Sequence, residues 1–263
     1  MQIISSKDNE IIKSIKKLKE KKYRDLSNKF IVEGIKIVEE AIEENAKIDK
    51  IIVCEECVAD GTISKELLYK IAKFDCIYVK EKVFDVLTDV KTPQGILAVI
   101  EKRGFESEID YTDDIIIVLD GIQDPGNLGT ILRTVDSSGL KQIIVSKDTV
   151  DAYSPKVVRS TMGGIFRVNV VEEEDLEETL KQIQKNGFEV IVTSLETEND
   201  IYVIDYKKKV IVIGNEANGV SKEIQELADK KVKIPMLGKT ESLNAAVATS
   251  IMVYEYVRKK LGK

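Results

Sequence analysis

Short, nearly unbroken apolar runs in the second half of the chain narrow the fold more than any other feature. "IIIVLD" at 115–120 is the strongest, and similar runs fall at Gln142–Val145, Val168–Val171, Val190–Val192, Val210–Ile213 and, more briefly, Val232–Ile234. A strand with one wet face alternates apolar and polar residues. One that is apolar throughout is buried on both faces, as in a parallel sheet covered by helices. The intervals at 128–138, 155–162, 174–186, 221–228 and 242–260 have helical patterning. Strands and helices in strict alternation predict a doubly wound α/β fold, whose ligands bind beyond the carboxyl ends of the strands. The loops that follow strands are therefore where chemistry is expected.

The first hundred residues have a different texture. An amphipathic helix is predicted over 10–22, with Ile11, Ile12, Ile15 and Leu18 on one face. Strands follow at Phe30–Val32, Lys50–Val53, Cys76–Val79 and Ile96–Ile100, with helices at 35–44, 64–73 and 81–88, which makes a small α/β/α unit. "KRGFESEIDYTDD" at 102–114 is polar and lacks any period, so it separates two expected domains, 1–105 and 114–263.

Composition removes several chemistries. The 263 residues include no histidine, which excludes Ser-His-Asp and Cys-His catalysis, imidazole acid–base chemistry and histidine-ligated metals. Cys54, Cys57 and Cys76 form no even disulfide framework and no zinc tetrahedron, so no metal is expected, and Cys54 and Cys57 read as small residues at the end of a buried strand. There is no signal-peptide pattern and no membrane-spanning apolar run, so a cytoplasmic protein is expected. The formal net charge of −6 does not suggest a polyanion-binding protein. Locally the balance reverses, because eight basic residues between Lys13 and Lys29 stand against only Glu20 and Asp25. That stretch is either a solvated helix face or a nucleic-acid contact.

Three loops after strands stand out. "DGIQDPGNLGTILRTVDSSG" at 120–139 lacks the G-x-G-x-x-G spacing of a dinucleotide site. Within it Leu128, Ile131, Leu132 and Val135 define one buried helix face, and Arg133 lies roughly 150° round from that stripe. "GNEANGVS" at 214–221 brackets Glu216 with glycines and offers Ser221 as a helix N-cap. The third, "IPMLGKTESLNAAVATS" at 234–250, contains Gly238-Lys239-Thr240, the tail of a phosphate-binding loop. The glycine such a loop needs five positions earlier is Lys233, so the fragment does not build a P-loop. Ser242 is expected to open a helix that buries Leu243, Val247, Ile251 and Tyr254 and offers Ala245, Ala246 and Ala248 for close helix packing.

Taken together and in this order, "NLGTILRT", "GNEANGVS" and "IPMLGKTESLNAAVA" resemble the three motifs of the SpoU/TrmH family of RNA ribose 2′-O-methyltransferases, and "STMGGIF" at 160–166 suits the stretch between the first two. "KFIVEGIKIVEEAI" and "TPQGILAVI" resemble the ribosomal-protein-like RNA-binding domain found at the front of many members. The resemblance implies a SPOUT α/β fold with a C-terminal trefoil knot, a homodimer, and S-adenosylmethionine held chiefly by backbone groups at Gly214, Ile234 and Leu243. It also implies that Asn127, Arg133, Glu216, Ser242 and Asn244 are the catalytic-site residues, with the proton acceptor left open between Arg133 and Glu216. The implied substrate is RNA, with ribosomal RNA favoured over transfer RNA by the type of front domain. A non-catalytic RNA-binding factor of the same fold is opposed by these five intact residues, and a nicotinamide-dependent oxidoreductase by the missing glycine fingerprint.

Overall fold

The computed structural model of the protein describes residues 3–102 and 108–263. Part of the expected boundary segment, residues 103–107, lies outside them. Along the first part of the chain run β1 (Ile3–Ile4), α1 (Glu10–Lys17), α2 (Lys21–Ser27), β2 (Lys29–Glu33), α3 (Ile35–Glu43), β3 (Ile48–Cys54), α4 (Glu55–Ala59), α5 (Lys65–Ile71), β4 (Cys76–Val79), α6 (Glu81–Phe84) and β5 (Ile96–Glu101). Then come β6 (Ile115–Asp120), α7 (Pro125–Ser137), β7 (Gln142–Ser146), α8 (Pro155–Ser160), β8 (Asn169–Glu173), α9 (Leu176–Lys185), β9 (Glu189–Thr193), β10 (Lys209–Gly214), α10 (Lys222–Leu227), β11 (Lys230–Val232) and α11 (Ala245–Lys260). The chain divides into two compact units, Met1–Gly104 with Tyr153–Phe166, and Phe105–Ala152 with Arg167–Lys263.

The first unit is built on a five-stranded sheet of order β1-β4-β3-β5-β2, parallel among β1, β4 and β3 and antiparallel where β5 meets β3 and β2. One core joins Ile12, Ile15 and Leu18 to Ile31, Ile52, Leu97 and Val99. The helix expected over 10–22 is two helices, and Ile11 faces solvent. The break comes from tertiary structure: Arg24 of α2 is buried and donates to the carbonyls of Leu18 (2.8 Å) and Lys19 (2.7 Å). It thus satisfies main-chain acceptors that a continuous helix would have paired internally. Cys54 does end a buried strand, but Cys57 sits on α4. Both thiols are free, and burial first, then the neighbouring Cys54, push the Cys57 thiol up to about 12. Segment 153–166 packs within this unit, the Tyr153 ring lying 4.9 Å from that of Phe30.

The second unit is the expected α/β fold. Its six strands, in the order β11-β9-β10-β6-β7-β8, are all parallel. Ile116, Val118, Val210 and Val212 pack one face against Leu176, Leu180 and Ile183 of α9 and Ile224 of α10. The other face carries α7 and α11, which pack on each other. Leu128, Ile131, Leu132 and Val135 are fully buried, as their spacing predicts.

Three boundaries are corrected. The last strand ends at Val232 instead of Ile234, α7 begins at Pro125, and α11 begins at Ala245 instead of Ser242, with Asn244 as its N-cap. The buried face of α11 is also different. Ala245, Ala246, Thr249, Met252, Val253 and Tyr256 are buried, while Val247 and Tyr254 are about half exposed. The side with Ser250 and Tyr254 turns to α7 instead, where hydroxyl pairs Thr134–Ser250 (3.0 Å) and Ser137–Tyr254 (3.1 Å) join the two helices.

Candidate active site

From β6 the sheet grows through β7 to β8, while β9 and β10 lie on the other side of β6. β6 and β10 are adjacent and parallel, with Asp120 level with Gly214. Strand order reverses between them, so their outgoing loops diverge and leave a crevice at their carboxyl ends. Both glycine-bearing motifs open there.

The loop after β10 is short and self-crossing. Asn215 and Gly219 exchange both main-chain hydrogen bonds at 2.9 Å, and Gly219 has φ +70°. A Cβ on Gly214 would sit 2.0 Å from the main chain of Gly219 and Val220, so no other residue fits there without moving the loop. Two bonds tie this loop to the end of β6: Asn215 Nδ2 donates to the Gly121 carbonyl (2.7 Å), and the Ser221 N–H donates to Asp120 Oδ2 (2.7 Å). Ser221 holds the N-cap position of α10, but its side chain makes no capping bond.

This loop carries Glu216 to the start of α7. Glu216 Oε1 accepts from Asn127 Nδ2 (2.7 Å) and the Asp124 N–H (3.4 Å), and Oε2 accepts from the Gln123 N–H (3.3 Å). Asn127 Oδ1 accepts from Asn244 Nδ2 (2.8 Å), and Asn244 Oδ1 accepts from the N–H groups of Ala246 (2.9 Å) and Val247 (3.3 Å). The orientation of each amide follows from chemistry. An ionised carboxylate only accepts, so Asn127 must turn its NH₂ to Glu216 and its oxygen to Asn244. Asn244 then presents its own oxygen to the free N–H groups that open α11. One carboxylate therefore sets the polarity of a relay that joins all three motifs.

Burial alone would push the Glu216 carboxyl up, but the bonds from Asn127 and from main-chain N–H groups, those of Gln123 and Asp124 among them, outweigh it and hold the group below its ordinary value. With three donors on it and a lowered pKa, Glu216 is a weak base.

The other two expected catalytic residues are not in the relay. Arg133 is on the outer face of α7, exposed, and Ser242 is exposed on the loop before α11; neither side chain is hydrogen-bonded to another described residue. That loop runs from the end of β11 to Asn244 beside α7, and so crosses the carboxyl ends of β9 and β10, a span of about 14 Å at ordinary strand spacing. Between Ile234 and Leu243 no main-chain group is hydrogen-bonded within the described residues. Main-chain donors and acceptors are obligatory hydrogen-bonding groups, so this stretch offers them outward to solvent or a ligand. Ile234 and Leu243 are half-buried at its ends, Gly214 is fully buried, and Leu237 is fully exposed. Reading the sequence missed Gln123, Asp124, Asn215 and Asp120. The Asp-Pro pair at 124–125, an N-cap followed by proline in the first turn, was the one local signal that could have found part of this group.

Residues 114–254 match the SpoU rRNA Methylase family and residues 9–98 the MRM3-like substrate binding domain. The chain is 32% identical, over 97% of its length and 98% of the relative's, to the 23S rRNA (guanosine(2553)-2′-O)-methyltransferase RlmP of Bacillus subtilis. Among solved structures it resembles the AdoMet-bound rRNA methyltransferase from Sinorhizobium meliloti, with a TM-score of 0.85 and 32% identity over 99% of this chain and 98% of that one. It has the same fold as the SpoU methyltransferase AviRb from Streptomyces viridochromogenes, with a TM-score of 0.86, 24% identity, and coverage of 96% and 98%. The chain belongs to the SpoU rRNA methylase family, S-adenosylmethionine-dependent RNA ribose 2′-O-methyltransferases. The unspent main-chain groups of 234–243 suit a cofactor expected to be held by backbone, and Gly238-Lys239-Thr240 lies within that loop.

Proposed function

We propose that the chain methylates a ribose 2′-hydroxyl in ribosomal RNA, with residues 1–105 holding the RNA and 114–263 carrying the transfer. The observation that carries this reading is the relay Glu216–Asn127–Asn244 at the strand-order reversal, beside a ten-residue loop whose main-chain groups are unspent. Ribosomal RNA is preferred because the Bacillus subtilis relative acts on 23S rRNA. Work in the cytoplasm, assembly as a homodimer and the trefoil knot belong to the same reading, supported by family resemblance. None of the described helices is long and apolar enough to cross a membrane.

When bound, S-adenosylmethionine supplies a methyl group on a positively charged sulfur, already open to attack by oxygen. Gly214, Ile234 and Leu243 would hold it through main-chain groups. Arg133 grips the phosphate beside the target ribose, since a guanidinium makes bidentate contacts to phosphate, and its charge lowers the cost of the developing ribose alkoxide. Ser242 supplies a hydroxyl contact at the same opening. Glu216 orients and does not receive the proton, because its lone pairs are largely occupied and its carboxyl is held below the ordinary value; the 2′-hydroxyl proton leaves to solvent as the oxygen takes the methyl group. Positioning can supply about 7–11 kcal/mol of such a barrier, more than the roughly 3–5 kcal/mol of a general base, so a site built mainly to orient is chemically sufficient.

On the front unit, Lys16, Lys17 and Lys22 are exposed, and the Tyr23 ring lies 5.3 Å from Lys17 Nζ and 5.9 Å from Lys22 Nζ. We assign this patch to sequence-independent RNA contact. Arg24 is spent inside the fold and takes no part.

The reading is tested at Arg133. Arg133→Ala should lower methyl transfer to ribosomal RNA by about 10²–10³-fold while calorimetry finds S-adenosylmethionine affinity nearly unchanged. If affinity and transfer fall together, Arg133 has been given the wrong role.

A further inference from the structure

The bond from Asn215 to the Gly121 carbonyl has no counterpart among the expected site residues, yet it joins the two loops that form the crevice. Asn215 uses both ends of its side-chain amide. Its Oδ1 accepts from the Ala217 N–H (2.8 Å) and the Asn218 N–H (3.2 Å), which shapes the turn around Glu216, and its Nδ2 reaches across to Gly121 O (2.7 Å). Gly121 is itself fixed, because its N–H donates to Ser146 Oγ at the end of β7 (2.9 Å) and its φ is +75°. Two residues beyond Gly121, the Gln123 and Asp124 N–H groups and then Asn127 receive the Glu216 carboxylate. The loop from 214 to 221 is thus tied to β6 at its start by Asn215 and at its end by Ser221 on Asp120. Glu216 lies between these ties, on a turn that the parallel ladder ending at Gly214 no longer supports.

We infer that Asn215 is a positioning residue for methyl transfer: its amide sets the distance between the Glu216 loop and the start of α7, and so aligns the relay that orients the site. The inference rests on the reading of Glu216 and Asn127 as part of that site. It follows from geometry, since main-chain donors at 3.3 and 3.4 Å already sit near the outer limit of a hydrogen bond and a shift of under 1 Å would release both. Misplacement of about 1 Å in a site of this kind can cost about 10²-fold in rate.

Two substitutions separate the cross-loop bond from the local turn. Asn215→Asp keeps an oxygen for the Ala217 and Asn218 N–H groups but sets an acceptor against the Gly121 carbonyl. Asn215→Ser keeps a short acceptor for the turn and cannot span to Gly121. With the full-length enzyme, tritiated S-adenosylmethionine and ribosomal RNA from cells lacking this protein, both variants should lose about 10²-fold in kcat. The KM for RNA and the calorimetric Kd for S-adenosylmethionine should stay within about threefold, since those contacts lie on other groups. Full turnover in either folded variant, when Glu216→Ala abolishes it, would overturn the positioning role. So would losses that disappear once rates are corrected for folded protein. Full turnover in Glu216→Ala would instead sink the underlying reading of the relay.

Discussion

The candidate site has two halves built on opposite principles. Asn127, Glu216, Asn215 and Asn244 are bonded to one another or to main chain, with donors and acceptors matched. The Arg133 and Ser242 side chains and the main chain of 234–243 are hydrogen-bonded to no other described residue. In the first half the sequence spends its polar groups on holding shape; in the second it keeps them for something outside the chain. Substitution should therefore disturb structure and turnover together in the first half, and turnover or binding alone in the second.

The largest effect is expected where shape is most constrained. In Gly214→Ala the new methyl would lie 2.0 Å from the main chain of Gly219 and Val220, neither of which is a flexible side-chain end. We expect a loss of about 3 kcal/mol or more in urea denaturation, together with lost S-adenosylmethionine binding. A variant as stable as the parent would show that the loop can open freely, and the contrast between the halves would fail.

A smaller effect sharpens the contrast inside the bonded half, where Asn244 both caps α11 and holds Asn127. Asn244→Asp retains the cap, since a carboxylate accepts from the Ala246 and Val247 N–H groups and suits a helix N-terminus. Its second oxygen, however, would face Asn127 Oδ1, and turning Asn127 over would set oxygen against Glu216. The thermal midpoint should stay near that of the parent while methyl transfer falls by about 10–10²-fold. Asn244→Ala, which loses cap and relay together, should also cost about 1 kcal/mol of stability. Equal activity of Asn244→Asp and the parent would reduce Asn244 to a cap.

How much of this was legible in the sequence differs by the kind of force involved. Strands β6 to β10 and the stripe Leu128, Ile131, Leu132 and Val135 were readable because burial leaves a periodic apolar trace. The face of α11 was misread because it buries Ala245, Ala246 and Thr249, small residues that leave little apolar trace. The break between α1 and α2 depends on Arg24 reaching back to Leu18 and Lys19, a tertiary event with no local signature. Strand β1, with two residues, is too short to show any period. Motif resemblance singled out five residues, three of which, Asn127, Glu216 and Asn244, form the relay, but it did not give the relay's polarity. Which loops meet to build the relay depends on strand order, and order β9-β10-β6 cannot be read from a chain in which β6 comes first. For the same reason Asn215 was not singled out.

The contrast extends to the front unit, where the exposed cations should act collectively. Replacing Lys16, Lys17 and Lys22 with alanine should leave the thermal midpoint unchanged and flatten the slope of log K for ribosomal RNA against log salt by about 2. The effect at low salt should be modest and uniform across RNA sequences. An unchanged slope would place the RNA grip elsewhere on the unit.

The smallest effect comes from pH. Because the Glu216 carboxyl is held below its ordinary value of 4.5, the group is fully charged at neutrality. Linkage then fixes the sign: the stability its bonds contribute is present above the unfolded value and is lost only as pH falls through the folded one. From about pH 6 to about pH 9 the stability difference between the parent and Glu216→Gln should be constant, narrowing only below the ordinary carboxylate range. The matching test on turnover asks whether any rise in kcat across neutral pH survives in Asn127→Ala, which removes the strongest donor to Glu216. If Glu216 only orients, as proposed, the residual activity should keep the parent's pH profile in that range. A profile shifted upward would mean that the carboxylate titrates during turnover, and the line between residues that hold shape and residues that meet substrate would have to be redrawn through Glu216.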